Sequence, residues 1–205
     1  GPADPVHVLA PPKTRFAHRG CRLERTAWLP EKHIVRGAPN VTIPARTAWE
    51  IASEPDVEEA VVALDMLFRA WHPRQGAMDR WVAAFPGSPA ARAIGLADAR
   101  AESPQESRAR VRIRLAGFPP PVPQYEIFAD GRFVARVDFA WPEAKVAVEY
   151  DGVWHAAAEQ LSADRVRLNN VLDAGWTVRA LTNADLRDPR RFEAFCVKLR
   201  RALAP

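Results

Sequence analysis

The segments RFVARVDFAW at 132–141 and VAVEYD at 146–151, joined by PEAK at 142–145, decide the fold of this chain. Both segments alternate between two kinds of side chain and are rich in β-branched and aromatic residues, which is typical of β-strands. The short linker predicts an antiparallel hairpin. Its register would place the following pairs on one apolar face: Trp141 with Val146, Phe139 with Val148, and Val137 with Tyr150.

The same register places two carboxylates opposite each other on the other face of the hairpin. Asp138 faces Glu149 there, in a row that also holds small alanines. Like charges at directly opposed strand positions repel each other. Solvent, an arginine or a divalent cation must offset this repulsion. Arg136, which the register places opposite Asp151, is the arginine candidate, and it gives a purely structural interpretation of a salt-bridged sheet face.

Helices and strands can be predicted on both sides of the hairpin. Ser103, Pro104 and Glu106 form the start signal of a helix that ends at Gly117. A strand and an Asp-Gly turn at 130–131 follow, and beyond the hairpin a helix, a strand and a last helix are expected. The predicted bounds are Gln124–Ala129, Arg132–Trp141, Lys145–Asp151, Ala157–Ala174, Trp176–Leu181 and Pro189–Leu203. This order predicts an α/β fold, with a mixed sheet flanked by helices.

The N-terminal half has a different pattern, with short β-prone segments before helices. The predicted strands are Val6–Leu9, Cys21–Leu29, His33–Val35 and Val41–Ile43. Helices are predicted over 44–52, after an Asp56 cap, and within 76–101. Proline-rich breaks at 85–89 and 102–104 predict a division near residue 100. We therefore expect a small α+β domain over 1–100, of uncertain role and a candidate for DNA or target binding, and a second domain over 101–205.

Composition limits the class of protein. The chain has 205 residues, a formal charge of +4 and 48% hydrophobic residues, which excludes a disordered or collagen-like protein. It has no apolar run of membrane-spanning length, so a cytoplasmic protein is expected. Its two cysteines, Cys21 and Cys196, lack metal-ligand spacing, so any metal must be held by oxygen or histidine. Only four of the 29 basic residues are lysines; the arginine bias permits nucleic-acid binding, and genomic base composition explains it equally well.

A series of short motifs resembles one nuclease family. They are SPQES at 103–107, VDF at 137–139, VEYDGVWH at 148–155, Asp164-Arg165, Asn169 and AGWTV at 174–178. Over 103–203 the series resembles the endonuclease-like domain related to very-short-patch-repair (Vsr) endonucleases, within the PD-(D/E)XK restriction-endonuclease-like superfamily. More weakly, residues 5–72, above all PARTAWEIA at 44–52, resemble the segment before this domain in AbiEi-type antitoxin-like regulators of actinobacteria.

The resemblance implies a metal site. Asp138, Glu149 and the carbonyl of Tyr150 would hold Mg²⁺ or Mn²⁺. The sequence departs from the family pattern at Asp151, which stands where a catalytic lysine is usual, and at 137, where valine replaces proline. Lys145 cannot substitute, because four residues at about 3.3 Å each place it roughly 13 Å from Glu149. The family often has a histidine after the strand, so His155 is the candidate for activating water or protonating the leaving oxygen.

Five further residues are candidates for supporting roles. Glu106 has two open interpretations: a capping-box or helix-surface carboxylate, or a carboxylate that reaches toward the sheet. Arg165 is interpreted either as a local ion pair or as an arginine near the scissile phosphate. The remaining candidates, expected to bind the phosphate backbone of DNA, are Arg136, Arg190 and Arg191.

These observations predict a metal-dependent DNA endonuclease that nicks or cleaves phosphodiester bonds, with DNA repair and defence as candidate settings. The alternative is a non-catalytic, antitoxin-like DNA-binding regulator that keeps the nuclease fold; a structure-specific RNase is a weaker third. Keeping both Asp138 and Glu149 favours the enzyme, since a binding module gains nothing from two carboxylates facing a polyanion. No membrane partner is expected, and action as a monomer is compatible with the sequence. The opening Gly1–Pro2 is typical of a cleaved tag, so the natural chain is expected to begin upstream.

Overall fold

A computed structural model of the chain describes residues 5–15, 18–27, 30–37, 39–74, 76–151 and 158–204, with side chains from Arg165 onward in the last range. Gly1–Pro2 and the predicted site residue His155 lie outside these residues. The chain divides into two compact units, residues 1–47 and 48–205.

The first unit contains two small pairs of strands. β1 (Val6–Ala10) pairs in parallel with β2 (Cys21–Arg25). β3 (Ile34–Val35) pairs antiparallel with β4 (Val41–Thr42). All four predicted strands are present, three of them shorter than predicted: β2 ends four residues before Leu29, β4 ends before Ile43, and His33 lies in a 3-10 helix (Glu31–His33) rather than in β3.

Helices follow the small strands. The helix α1 (Pro44–Ala52) includes the division after residue 47, and the second unit continues with α2 (Val57–Trp71), α3 (Asp79–Ala84), α4 (Pro89–Leu96) and α5 (Pro104–Leu115). These bounds agree with the predicted helix starts at residue 44, after Asp56 and after Ser103.

Caps at two helix starts explain why α2 and α5 begin where they do. The carboxylate of Asp56 accepts hydrogen bonds from the backbone of Glu58 (2.9 Å) and Glu59 (3.3 Å). The hydroxyl of Ser103 accepts one from the backbone of Glu106 (3.2 Å). Each cap satisfies N–H groups that have no partner within the helix. Both caps were predicted by the sequence and are confirmed.

A mixed sheet follows the helices. Its strands are β5 (Val122–Ala129), β6 (Arg132–Trp141), β7 (Val146–Asp151) and β8 (Thr177–Thr182), arranged in that order. β5, β6 and β7 are antiparallel neighbours, and β8 is parallel to β7. The parallel pair is connected through α6 (Ala158–Asp173), as a parallel crossover requires. The chain is thus a mixed α/β protein, as the sequence predicts.

The two faces of the sheet carry different helices. Phe139 and Val148 pack with residues of α5 and of α8 (Pro189–Leu203), whereas Ala140 and Ala147 pack with Val171 of α6. Because adjacent strand residues point to opposite faces, α6 covers one face, and α5 and α8 cover the other. The sequence analysis did not predict α7 (Asn183–Arg187), a short helix with a capping box between Thr182 and Asp185.

The boundary between the two units lies after residue 47, whereas the sequence predicts a division near residue 100. Arginines of α5 form ion pairs with carboxylates of α2: Arg108 with Glu59 (2.8 Å), Arg110 with Asp65 (2.7 Å) and Arg112 with Glu58 (2.7 Å). These pairs join residues on both sides of position 100 into one unit that begins at Ala48.

Among the helices described, none is both long enough and apolar enough to cross a membrane.

Candidate functional site

The β6–β7 hairpin has the predicted register but opens at one end. In the structure, Trp141 pairs with Val146, Ala140 with Ala147, and Phe139 with Val148. The backbone pairing between the two strands ends at Phe139 and Val148, so the next positions, Asp138 and Glu149, lie just beyond the last pair. The two predicted carboxylates therefore lie where the regular pairing of β6 with β7 ends.

Asp138 is bound to the neighbouring strand through its side chain. Its Oδ2 accepts a hydrogen bond from the backbone N–H of Tyr150 at 2.7 Å. On its other side, Asp138 faces β5, where the register from Val122 to Ile127 would place Gln124 opposite it. The two residues form no backbone pair, and Gln124 has a φ of 51°. A left-handed residue in a strand interrupts regular pairing. Asp138 therefore lies at an irregular position between both neighbouring strands.

Because of this irregularity, one side chain lies on the other face of the sheet than predicted. Val137 was expected on the same side as Phe139, two residues away. It packs instead in the cluster that contains Ala140 and Ala147, on the α6 side. The alternation of side chains thus breaks at Asp138, the position where the ladders on both sides are interrupted.

Glu106 combines both of its predicted interpretations. Its carboxylate accepts hydrogen bonds from the Ser103 hydroxyl (2.8 Å) and the Glu102 backbone (2.9 Å), which stabilises the start of α5. It also accepts one from the side-chain amide of Gln124 on β5, at 2.8 Å. The helix-capping carboxylate therefore also reaches the sheet beside Asp138.

An arginine neutralises Glu149, and it is not the predicted one. Arg167 of α6 donates to both oxygens of Glu149, at 2.6 and 3.0 Å. Arg136 instead lies opposite Glu126 of β5, and its guanidinium bonds Glu102 at 2.9 Å. The predicted pairing of Arg136 with Asp151 does not form, because the β6–β7 ladder ends before those positions.

The charges of two other carboxylates, Glu106 and Glu149, act on Asp138. The pKa of Asp138 is raised to about 6, first by burial and then by the negative charges of Glu106 and Glu149; the Tyr150 N–H and Arg167 oppose the rise. A carboxyl group with a strongly perturbed pKa beside other carboxylates is typical of functional sites.

The other predicted residues lie outside this cluster. Asp151 is exposed at the end of β7, where it pairs with Thr182 of β8. Arg165 is exposed on α6. Arg190 is exposed at the start of α8, and Arg191 pairs with Asp185 at 2.9 Å. α8 and α6 cover opposite faces of the sheet, so the two α8 arginines are not on the Arg167 side of Glu149.

Two residues of the site, Gln124 and Arg167, are not among those predicted from the sequence. Gln124 stands at the predicted start of a strand, and a register of β5 against β6 would have placed it opposite Asp138. Arg167 lies two positions after Arg165 on α6 and three after Asp164, next to the Asp164-Arg165 motif. A helical projection that placed position 167 toward the sheet, four residues before Val171, would have indicated it.

The types of residue suit a hard divalent cation, but the described side chains are not arranged to bind one. Carboxylate and carbonyl oxygens are the ligands that Mg²⁺ and Mn²⁺ prefer. Within the described part of the chain, Asp138 Oδ1 accepts no hydrogen bond, whereas both oxygens of Glu149 are taken by Arg167. The described side chains accordingly include no group of three or more His, Cys, Asp or Glu residues arranged to hold a metal. The Glu149–Arg167 pair must open before Glu149 can become a ligand.

Asp138→Asn is expected to stabilise the metal-free protein above pH 6 and to lose that advantage below pH 4. Asp138 has a pKa near 3.8 when unfolded and about 6 when folded, so stability falls as pH rises through this window. The shift corresponds to at most about 3 kcal/mol. Asparagine does not ionise and can still accept from Tyr150. Urea unfolding in EDTA at pH 4 and 7.5 measures the difference, and an equal effect at both values would contradict the burial argument.

Comparisons with known proteins identify relatives but give them no role. The chain is 35% identical over 159 residues, 75% of its length, to two Mycobacterium tuberculosis proteins described as "Uncharacterized protein MT2308" and "Uncharacterized protein Rv2248". The aligned region is 59% of those relatives, so this chain spans less than two thirds of their length. No family model matches the chain, and no solved structure matches it.

Proposed function

We propose that the protein is a metal-dependent endonuclease that hydrolyses phosphodiester bonds in DNA, with a Vsr-like, restriction-endonuclease-like domain as its catalytic unit. The observation that carries the proposal is the partly buried Asp138 just beyond the last β6–β7 pair: the charges of Glu106 and Glu149 both act on it, and its pKa is raised to about 6. A sheet gains no stability from such a cluster, because partly buried carboxylates repel one another. A cation-binding role accounts for the cluster.

Each residue of the cluster has a definite part in this proposal. Asp138 and Glu149, with the carbonyl of Tyr150, would hold Mg²⁺ or Mn²⁺; when bound, such an ion lowers the pKa of water and offsets charge on the phosphate. Glu106 holds the Gln124 amide beside Asp138 and adds negative charge that favours a cation there. The Tyr150 N–H fixes the orientation of the Asp138 carboxylate.

The arginines available for DNA are fewer than the composition suggests. Arg108, Arg110 and Arg112 of α5 are paired with α2, so they have partners within the protein. Arg165, Arg190 and Arg201 are exposed and remain candidates for phosphate contacts. Arg136 is paired with Glu102 at a half-exposed position, which makes it a weaker candidate.

The proposal is tested by incubating supercoiled plasmid, mismatched duplex and branched DNA with the protein in Mg²⁺, Mn²⁺ or EDTA. Metal-dependent nicking or cutting of any of these substrates is expected, and EDTA should abolish it. DNA binding without cleavage under every condition would instead favour the second candidate, a non-catalytic DNA-binding regulator.

The regulator is retained as a second candidate because of one observation. Arg167 already neutralises Glu149 through two hydrogen bonds, so a cation is not needed to hold that carboxylate in place. In a regulator this ion pair would be permanent and structural. The two candidates thus differ in whether the Glu149–Arg167 pair opens.

His155→Ala and Asp151→Asn should have different effects on cleavage. A histidine can exchange a proton near neutral pH, so its loss is expected to lower the cleavage rate by about 10²-fold or more with metal affinity nearly unchanged. Asp151 is an exposed anion at the end of β7, so Asp151→Asn should weaken metal binding, and excess Mn²⁺ should partly restore the rate. Single-turnover rates over pH 6–9 and Mn²⁺ titrations measure both effects. Cleavage by His155→Ala at the wild-type rate throughout would exclude a proton-transfer role for the histidine.

A further inference from the structure

We propose that Arg167 is a displaceable counter-ion: it holds Glu149 while the metal is absent and is released when a divalent cation binds, so that its guanidinium becomes available to a phosphate of the DNA backbone. This inference rests on the proposed function and adds a residue that couples metal binding to DNA binding. Arg167 is on this account a positioning residue.

The geometry of the pair supports the first half of the inference. The two terminal guanidinium nitrogens of Arg167 each donate to one oxygen of Glu149, Nη1 to Oε1 at 2.6 Å and Nη2 to Oε2 at 3.0 Å, which is the bidentate arrangement that arginine forms with carboxylates. Arg167 also lowers the pKa of Asp138, so its charge acts on both carboxylates. Arg167 thus already supplies positive charge where a divalent cation would supply more.

Competition between the two cations follows from charge and geometry. A divalent cation that takes Glu149 as a ligand needs the oxygens that Arg167 occupies, and it brings twice the charge to the three carboxylates. The same ion repels a guanidinium held close to it. Binding of the metal and retention of the bidentate pair are therefore mutually unfavourable, and each weakens the other to the same extent.

The exposure of Arg167 supports the second half of the inference, in which its guanidinium binds a phosphate of the DNA backbone. Its side chain is 38% exposed, whereas that of Glu149 is 24% exposed, so the guanidinium can turn toward solvent while the carboxylate stays in the site. The planar fork that fits a carboxylate fits a phosphate equally well. The released Arg167 would thus face an anionic strand next to the metal site.

The first experiment measures metal binding without DNA. Mn²⁺ is titrated into the wild-type protein, Arg167→Ala, Arg167→Lys and the control Arg92→Ala by calorimetry. Arg92 is an exposed arginine of α4, so its removal changes the net charge by the same amount at a position away from the sheet. Arg167→Ala should bind Mn²⁺ about tenfold more tightly than wild type, Arg167→Lys should lie between them, and the control should be unchanged. Unchanged or weaker binding by Arg167→Ala would overturn the inference.

The second experiment measures coupling to DNA without relying on activity. Fluorescence anisotropy gives the affinity for a short duplex in EDTA and in Ca²⁺, an oxygen-seeking cation of the same charge. The cation should strengthen DNA binding by the wild-type protein about tenfold more than it strengthens binding by Arg167→Ala, within the usual range of coupling between sites. Equal strengthening in both proteins would show that Arg167 does not bind the phosphate.

A folding control separates structural damage from loss of the counter-ion. Arg167→Ala leaves Glu149 partly buried without its partner, so circular dichroism and the double variant Arg167→Ala/Glu149→Gln, which removes the unpaired charge, are measured in parallel. The double variant should fold and should not bind Mn²⁺ more tightly than wild type. Tightening in the double variant would assign the effect to a change in the fold and would contradict the inference.

The outcomes distinguish this inference from the proposed function. If the wild-type protein and Arg167→Ala both fail to bind Mn²⁺, the metal site and the counter-ion role fail together. If both bind Mn²⁺ with equal affinity and both cleave DNA, the nuclease proposal stands and the counter-ion role is wrong.

Discussion

Asp138→Asn is expected to abolish Mn²⁺ binding and to lower metal-dependent DNA cleavage by about 10²–10⁴-fold, the range seen when a group that acts on the reacting atoms is removed. Asp138 is acted on by the charges of Glu106 and Glu149 and has one carboxylate oxygen without a hydrogen bond from the described residues. An amide in its place supplies neither the negative charge nor the second oxygen. Calorimetry with Mn²⁺ and single-turnover cleavage of plasmid measure the two effects.

The matched control for this variant is Glu126→Gln. Glu126 is an exposed carboxylate on the neighbouring strand β5, opposite Arg136, and it does not act on Asp138. The control should bind Mn²⁺ and cleave DNA as the wild-type protein does. Because Asp138→Asn should be at least as stable as wild type at pH 7.5, lost activity cannot be assigned to unfolding. Normal Mn²⁺ binding by Asp138→Asn would exclude this carboxylate as a ligand.

Arg110→Ala is expected to destabilise the second unit by about 3–5 kcal/mol, the usual cost of leaving one partner of a buried ion pair alone. The side chains of Arg110 and Asp65 are 6% and 1% exposed and lie 2.7 Å apart. Asp65 also accepts a hydrogen bond from the Asp98 backbone at 2.6 Å, and Arg110 donates to the Leu96 carbonyl. The pair therefore joins α2 and α5 to the segment that follows α4.

Removal of both charges should cost much less than removal of one. The double variant Asp65→Leu/Arg110→Met replaces the pair by apolar side chains of similar size, a change that is often neutral at buried sites. Urea unfolding at pH 7.5 gives both free energies. The exposed arginine Arg92 on α4 provides a control, and Arg92→Ala should change stability by less than about 0.5 kcal/mol. A loss below about 1 kcal/mol for Arg110→Ala would mean that the α2–α5 contact depends on apolar packing alone.

Much of the fold could be predicted from the sequence because its signals are local. The capping residues Asp56 and Ser103 each act on backbone groups within three positions, so they can be found by inspection. The strand β6 and the helix α8 have the bounds that were predicted. The hairpin register followed from a four-residue linker and from alternation, and the pairs from Trp141 to Phe139 confirm it.

The short helix α7 shows where local signals were overlooked. Thr182 and Asp185 form a capping box, which is readable from the sequence, but no element is predicted between β8 and α8. The division near residue 100 shows a different limit. Proline-rich segments mark turns, but they do not show which helices pack together, and the α2–α5 ion pairs span 45 to 54 residues.

The sequence by itself determined the bounds of β6 and α8, the caps at Asp56 and Ser103, and the hairpin register from Trp141 to Phe139, since these depend on neighbours a few residues apart or on a short linker. Only the tertiary structure decided that the β6–β7 ladder stops at Phe139, that Glu106 reaches the sheet through Gln124, and that Arg167 rather than Arg136 neutralises Glu149. The reason is physical: an ion pair needs only two side chains to meet in space. The crossover through α6 brings Arg167 to Glu149 across 18 residues, a distance over which neither periodicity nor spacing specifies a partner.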